Sequence, residues 1–274
     1  MNIMRTLITL LFIVITPLVF SQRQTNKSRS EIGFMVGGSY YLGDLNQYMQ
    51  FRNTHLAGGL IYRYNVHSRL AIRTTFNYGV VEGDDADAQL SQNQHRNLNF
   101  TSTIWELASG TEFNYYPFQI GHKRYKGTAY LFAQLALFRM NPTTDFNGDE
   151  VELRDLGTEG QGTSLTSKRK YGQYQVAIPL GVGARVSLGK RASFGGEIGI
   201  RKTFTDYLDD VGADYYADYD RLLAESGPIA AELSNRSGSR FGRRGDSGTK
   251  DWYVFSGISL TFRLGQPDSC PYRY

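Results

Sequence analysis

The chain has 274 residues, 30 Lys and Arg against 26 Asp and Glu, a net charge of +4 and a single cysteine. That length suits one large domain or two small ones. The slight basic excess is spread along the chain, which argues against a nucleic-acid face, and one cysteine excludes an intrachain disulfide. Beyond the N-terminus no run approaches the roughly 20 apolar residues of a membrane helix, whereas 19 Tyr, 16 Phe and 30 Gly suit an aromatic-girdled, closely packed all-β chain.

Residues 1–21 read as an export signal. Arg5 supplies positive charge, Leu7 to Phe20 form an apolar core, and Val19 and Ser21 fit a small-residue cleavage site that leaves Gln22 as the first mature residue. An uncleaved anchor helix is the competing reading, but the core is shorter than a span. No cysteine follows it, which excludes a lipoprotein anchor. Residues 22–30 form a short polar leader, and 31–264 the folded body.

From Glu31 onward apolar and polar residues alternate at the period of two expected of strands. In Glu31–Leu42, Ile32, Phe34, Val36, Tyr40 and Leu42 share a face. His55–Val66 places Leu56, Leu60, Tyr62, Tyr64 and Val66 opposite Arg63 and Asn65. Arg69–Val80 sets Leu70, Ile72, Phe76, Tyr78 and Val80 against Arg73, Thr75 and Asn77. Asn99–Tyr116 sets Trp105, Leu107, Phe113 and Tyr115 against Glu106, Gly110, Glu112 and Asn114. Thr128–Met140 is apolar on both faces, so its orientation stays open. Tyr174–Leu188 is the clearest run: Val176, Ile178, Leu180, Val182, Ala184, Val186 and Leu188 oppose a small or polar row that includes Arg185. Ser193–Phe204 sets Phe194, Ile198, Ile200 and Phe204 against Glu197, Arg201 and Thr203. Trp252–Leu264 sets Trp252, Val254, Ile258, Leu260 and Phe262 against Gly257, Ser259, Thr261 and Arg263.

One greasy and one polar face on every ribbon fit lipid outside and a polar lumen inside. An even strand number lets an up-and-down barrel close without a free edge. The expected fold is therefore an all-β, eight-stranded antiparallel transmembrane β-barrel. Connection lengths alternate, short at His67-Ser68, Pro117–Lys126 and Gly189–Ala192, long at Gly43–Thr54, Glu82–Leu98, Asn141–Gln173 and Thr205–Asp251. Outer-membrane barrels put short turns in the periplasm and long loops outside, so both termini are expected in the periplasm. A soluble lipocalin-like barrel, with the apolar face inward, is the alternative. The lumen charges Arg63, Arg73, Arg185 and Arg201 are expected to pair with Glu106, Glu112 and Glu197. They would fill a bore that is just wide enough for side chains, which disfavours an open pore.

No catalytic constellation emerges. His67 and Ser68 are adjacent and point apart, whereas a relay needs hydrogen-bond reach. His55 lies at the opposite strand end from Glu31, and His95 and His122 read as solvated loop residues. Asp206, Asp209, Asp210, Asp214, Asp218 and Asp220 do not follow a calcium-loop spacing. They read as a solvated external loop, whose Arg236, Arg240, Arg243 and Arg244 suit either internal pairing with these aspartates or contact with lipopolysaccharide phosphates. Gly181, Gly183, Gly195, Gly196 and Gly199 lack the following helix of a phosphate loop. No cofactor or metal is expected.

Four segments carry a resemblance: Gly38-Ser39-Tyr40-Tyr41-Leu42-Gly43-Asp44-Leu45-Asn46, Glu112-Phe113-Asn114-Tyr115-Tyr116-Pro117, Thr203-Phe204-Thr205-Asp206-Tyr207-Leu208-Asp209-Asp210-Val211 and Asp251-Trp252-Tyr253. In their order and strand placement the mature chain resembles the PorG-type outer-membrane barrels of the Bacteroidota type IX secretion system. The resemblance implies a structural component without catalysis, one that anchors a periplasmic ring of the PorK lipoprotein and PorN. It carries over no active site, and the family includes members whose role rests on similarity alone. Residues 265–274 then become a candidate periplasmic tail. Cys270, Tyr272 and Tyr274, with Pro117, His122, Lys123 and Arg124 of the neighbouring turn, are candidate ring contacts. Cys270 is either an intermolecular disulfide partner or a spare thiol at a disordered end. A surface adhesin using its long loops, or a lipid-modifying barrel enzyme, are the other functions compatible with the pattern.

Overall fold

Among the described residues of the computed structural model ten strands form, and eight of them close on themselves. The structure describes residues 29–46, 51–122, 124–239 and 241–265. The expected signal segment, Lys123, Arg240 and the tail with Cys270, Tyr272 and Tyr274 lie outside these. The barrel strands are β1 (Ser30–Leu42), β2 (His55–His67), β3 (Leu70–Asp84), β4 (Asn99–Asn114), β5 (Gly127–Arg139), β8 (Tyr174–Leu188), β9 (Ala192–Thr203) and β10 (Trp252–Arg263). Each pairs antiparallel with its neighbours, and β1 pairs with both β2 and β10, which closes the cylinder. Closure leaves no row of unpaired backbone groups along a barrel edge.

The in–out alternation follows the sequence pattern. Phe34, Leu60, Phe76, Leu107, Leu135, Val182, Ile198 and Ile258 project outward and are exposed, whereas Glu31, Arg63, Arg73, Glu112, Arg185 and Thr261 on the same strands are buried inside. Strand β5, ambiguous in sequence, turns Leu131, Leu135 and Leu137 outward and Tyr130, Phe132, Gln134, Ala136 and Phe138 inward. The inward aromatics fit because the facing rows of β8 and β9 are glycine-rich. A Cβ at Gly181 or Gly199 would collide with the Phe132 ring, and one at Gly183 with the Tyr130 ring. The β5–β8 ladder is interrupted where Gln134 faces Pro179, which has no N–H to donate.

The long connections are folded, contrary to the expectation of plain loops. β3 and β4 run past the barrel mouth to the Asp84–Asn99 pair. There the hairpin β6 (Pro142–Phe146) and β7 (Asp149–Glu152) joins β4. Helices α1 (Ser91–Arg96), α2 (Leu153–Leu156), α3 (Tyr219–Ser226) and α4 (Pro228–Ser234) complete a cap at the long-loop end. Asp218 caps α3 by accepting from the Arg221 N–H, and Pro228 opens α4, where a missing N–H costs nothing. Leu153, Leu208, Val211 and Leu233 of the cap join Tyr41, Phe100, Ile104, Phe138, Tyr253 and Phe255 of the upper lumen in one buried cluster. Each fully buried leucine there stabilises the cap by about 1.5–3 kcal/mol.

Candidate functional site

The lower half of the lumen is ionic. Arg63 Nε donates to Glu112 Oε2 at 2.7 Å, and Arg73 Nη1 reaches the same oxygen at 3.2 Å. Arg185 Nη2 lies 3.1 Å from Glu112 Oε1, and its Nη1 donates to Glu31 Oε2 at 3.1 Å. Arg73 also holds both oxygens of Glu197, one of them through Nη1 at 2.9 Å, and the Tyr130 hydroxyl donates to Glu197 Oε2 at 2.6 Å. Higher up, Arg201 Nε donates to Glu106 Oε2 at 3.1 Å, while Glu106 accepts from Asn77 and from the Tyr253 hydroxyl. Arginine suits this packing because its planar guanidinium is weakly hydrated and stacks on rings. Arg73 lies 4.3 Å from the Phe132 ring centroid, Arg185 4.5 Å from that of Phe118 and Arg201 4.8 Å from that of Phe255. Four arginines therefore meet four carboxylates (Glu31, Glu106, Glu112 and Glu197) with no side chain more than 3% exposed. Their mutual pairing offsets part of the desolvation cost of burying them, and the buried side chains fill the bore at this layer.

Both ends of the lumen are sealed. At the short-turn end the 115–126 connection drives Phe118 and Ile120 inward to full burial. It is held there by the Phe118 N–H on the Ser68 carbonyl and the Gly121 N–H on Ser187 Oγ. At the long-loop end the Tyr41 hydroxyl touches Asp209 Oδ2 at 2.6 Å and Asp251 Oδ1 at 2.8 Å. One phenolic proton serves one of these contacts, so a carboxyl proton must occupy the other. Burial pushes both Asp209 and Asp251 well above the ordinary carboxylate range, and each is raised further by neighbouring acids, Asp44 among them. Asp251 Oδ2 also accepts the Leu208 N–H, and Asp209 Oδ1 the Val211 N–H. The two ends of the β9–β10 connection are thus tied together over β1.

The cap carries further buried pairs. Arg96 donates to both oxygens of Asp85, at 2.7 and 2.6 Å. Arg244 Nε donates to Glu159 Oε1 at 3.0 Å, and Arg244 Nη2 lies 3.5 Å from Asp210 Oδ2. Burial still pushes Asp210 up to about 6, and it does the same to Asp206, which Lys250 meets at 3.2 Å. The expectation of a solvated acidic loop is therefore corrected for Asp206, Asp209 and Asp210, which are structural members of the cap. It holds for Asp218 and Asp220, which are exposed. Among the described residues no group of His, Cys, Asp or Glu is arranged to hold a metal ion.

A family model described as a domain of unknown function, DUF6089, matches residues 5–224. The chain belongs to that family. No curated protein matches this DUF6089 sequence. Solved structures similar to it include Neisserial surface protein A, with a TM-score of 0.42 and 8% identity over 86% of this chain and 98% of that one. Ail, the attachment invasion locus protein of Yersinia pestis, gives 0.41 and 7% over 86% and 97%. The outer membrane protein OprG from Pseudomonas aeruginosa gives 0.36 and 12% over 88% and 99%.

In this DUF6089 barrel all seven lumen charges named from sequence sit inside: Arg63, Arg73, Arg185, Glu112 and Glu197 in one network, and Arg201 with Glu106 in a separate pair above it. Glu31 completes the network and was not singled out, because its place at a strand end hides its partner on β8. Pro117, His122 and Arg124 lie together in the short-turn seal. His122 Nδ1 accepts the N–H groups of Arg124 and Tyr125, and its ring stacks on Tyr125 at 5.6 Å. The four histidines are not brought together. His55 Nε2 lies 2.5 Å from Glu82 Oε2, a pairing across β2 and β3 at the long-loop mouth that the sequence reading missed. The Tyr41–Asp209–Asp251 junction was also missed. Its signal in the sequence is that all three residues fall in segments that carried the resemblance.

Proposed function

We propose that this chain is an outer-membrane barrel that acts as an anchor and not as a pore or a catalyst. The observation that carries the reading is its inside-out polarity. Rows such as Ile32, Phe34, Val36 on β1 and Val182, Val186, Leu188 on β8 stand 44–51% exposed, while arginines and glutamates fill the centre. A water-facing exterior of this kind would be an aggregation surface; an acyl-chain exterior makes it favourable. Residues 1–21 act as the export signal in this reading, and both termini face the periplasm. The lumen, filled by paired side chains and closed at both ends, argues against conduction. The four histidines lie apart from one another, which argues against a shared catalytic centre.

The finer reading is that the barrel anchors the periplasmic PorK and PorN ring of a type IX secretion system. It rests on the four sequence segments that resemble PorG-type barrels. Its contacts would come from the tail with Cys270, Tyr272 and Tyr274 and from the turn with Pro117, His122, Lys123 and Arg124. The test is in-cell cross-linking of the tagged barrel followed by purification, with the ring subunits expected among the products. Recovery of the intact barrel from the outer-membrane fraction without them removes the ring role. Recovery from the soluble fraction removes the membrane reading as well. The folded cap supports a second reading, a surface-binding barrel in which β6–β7 and the helices present a fixed epitope. Deleting the gene would then leave secretion intact and lower surface binding.

A further inference from the structure

Among the described residues the short-turn end of the barrel carries an unbalanced charge. Every connection at this end carries exposed cations: Arg69 between β2 and β3, Arg124 and Lys126 between β4 and β5, Lys190 and Arg191 between β8 and β9, and Arg29 leading into β1. No Asp or Glu occurs in residues 64–70, 115–127 or 188–192. Glu31 is the nearest carboxylate on β1, and it is buried in the lumen on Arg185. Among the described residues none of these six cations forms a salt bridge. At the opposite end cations stand among acids, and several pair with them: Arg52 with Asp87, Arg96 with Asp85, Arg244 with Glu159 and Lys250 with Asp206.

Two features decide what such a surface fits. The cations are spread over the three connections and the segment leading into β1, around the circumference; a single docking partner would favour a patch on one sector. They also lie next to tyrosines that end the apolar exterior, Tyr64, Tyr115 and Tyr116, at 38%, 64% and 51% exposure. Tyrosines mark the headgroup level of a bilayer, where one side of the ring meets acyl chains and the hydroxyl meets water. Cations at that depth reach lipid phosphates.

We propose that these cations bind anionic phospholipid headgroups of the leaflet on the short-turn side and so fix the depth of the barrel and its annulus of lipid. The proposal rests on the membrane reading above and does not depend on the secretion role. Each cation near an anionic leaflet contributes about a fivefold preference, and several acting together give an enrichment well above the bulk lipid ratio.

The test uses the full chain reconstituted into nanodiscs of phosphatidylcholine alone and of equimolar phosphatidylglycerol and phosphatidylcholine. Lipids that stay on the barrel after gentle detergent release are counted by native mass spectrometry. Phosphatidylglycerol is expected to be enriched severalfold over its bulk share, with the enrichment falling as salt rises. Arg69→Gln, Lys126→Gln, Lys190→Gln and Arg191→Gln combined should bring the ratio to the bulk value while the barrel keeps its heat-modifiable gel mobility. Retention at the bulk ratio by the wild type overturns the proposal and leaves an acidic protein as the partner of these cations. So does a combined variant that keeps both its fold and its enrichment. If that variant fails to fold, the salt titration of the wild type decides. Failure to insert into phosphatidylcholine alone, by protease protection, would refute the membrane reading instead.

Discussion

Glu112→Gln is the most informative single change in the lumen. The carboxylate faces Arg63, Arg73 and Arg185 at 2.7, 3.2 and 3.1 Å, with no exposure of its own side chain. The amide is nearly isosteric, so packing is kept and only charge is lost. The paired layer then holds four arginines against three glutamates, and an unpaired buried charge of this kind costs about 3–5 kcal/mol. Unfolding of the detergent-folded barrel in urea, followed by the shift between folded and unfolded gel mobility, reads the loss. Adding Arg63→Gln restores neutrality, so the double variant should recover about 1–3 kcal/mol relative to the sum of the two single changes. Asp87→Asn serves as the control. Its partner Arg52 is 45% exposed, and solvent screening limits that loss to about 1 kcal/mol or less. A Glu112→Gln loss no larger than the Asp87→Asn loss, or strict additivity of the pair, would refute the view that the lumen is held by charge balance.

The cap should weaken as pH rises. Asp206 and Asp210 are pushed up to about 6, and burial raises Asp209 and Asp251 well above the ordinary carboxylate range. The folded cap therefore binds protons more tightly than the unfolded chain. Its stability is full below the ordinary carboxylate value and is lost as pH rises through about 6 and beyond. Hydrogen exchange at Leu208 and Val211, corrected for intrinsic rate, should speed up over that window, and an unchanged protection would contradict the assignment. Gly43→Ala puts a Cβ into the Tyr41 hydroxyl and the Asp251 carboxylate, so protease should cut the β9–β10 connection faster while the barrel stays folded. Gly181→Ala should cost about 1–3 kcal/mol by overpacking against the Phe132 ring. Phe132→Leu in the same background should return part of it, and the absence of any rescue would show that the clash lies elsewhere.

The strand set was legible because each ribbon meets two solvents, and a period of two survives any choice of neighbour. His55, Tyr174, Leu188 and Trp252 were read as strand ends and are strand ends. The polarity of the lumen followed from the same alternation, since residues opposite an outward row have only the interior to face. β5 was illegible because apolar residues occupy both its faces. Its orientation depends on glycines of β8 and β9 that leave room for Tyr130 and Phe132, a complementarity across the bore and not along the chain.

The amino-acid sequence by itself determined the number of barrel strands, their faces and the end that carries the long connections, because these depend on side-chain order within one strand and on segment lengths. Only the tertiary structure decided which arginine meets which carboxylate, that Glu31 joins them, and that Asp209 and Asp251 both meet the Tyr41 hydroxyl. Those contacts join positions up to 210 residues apart. Their chemistry depends on burial and distance, and both come into being only when the cylinder closes and its cap folds over the mouth.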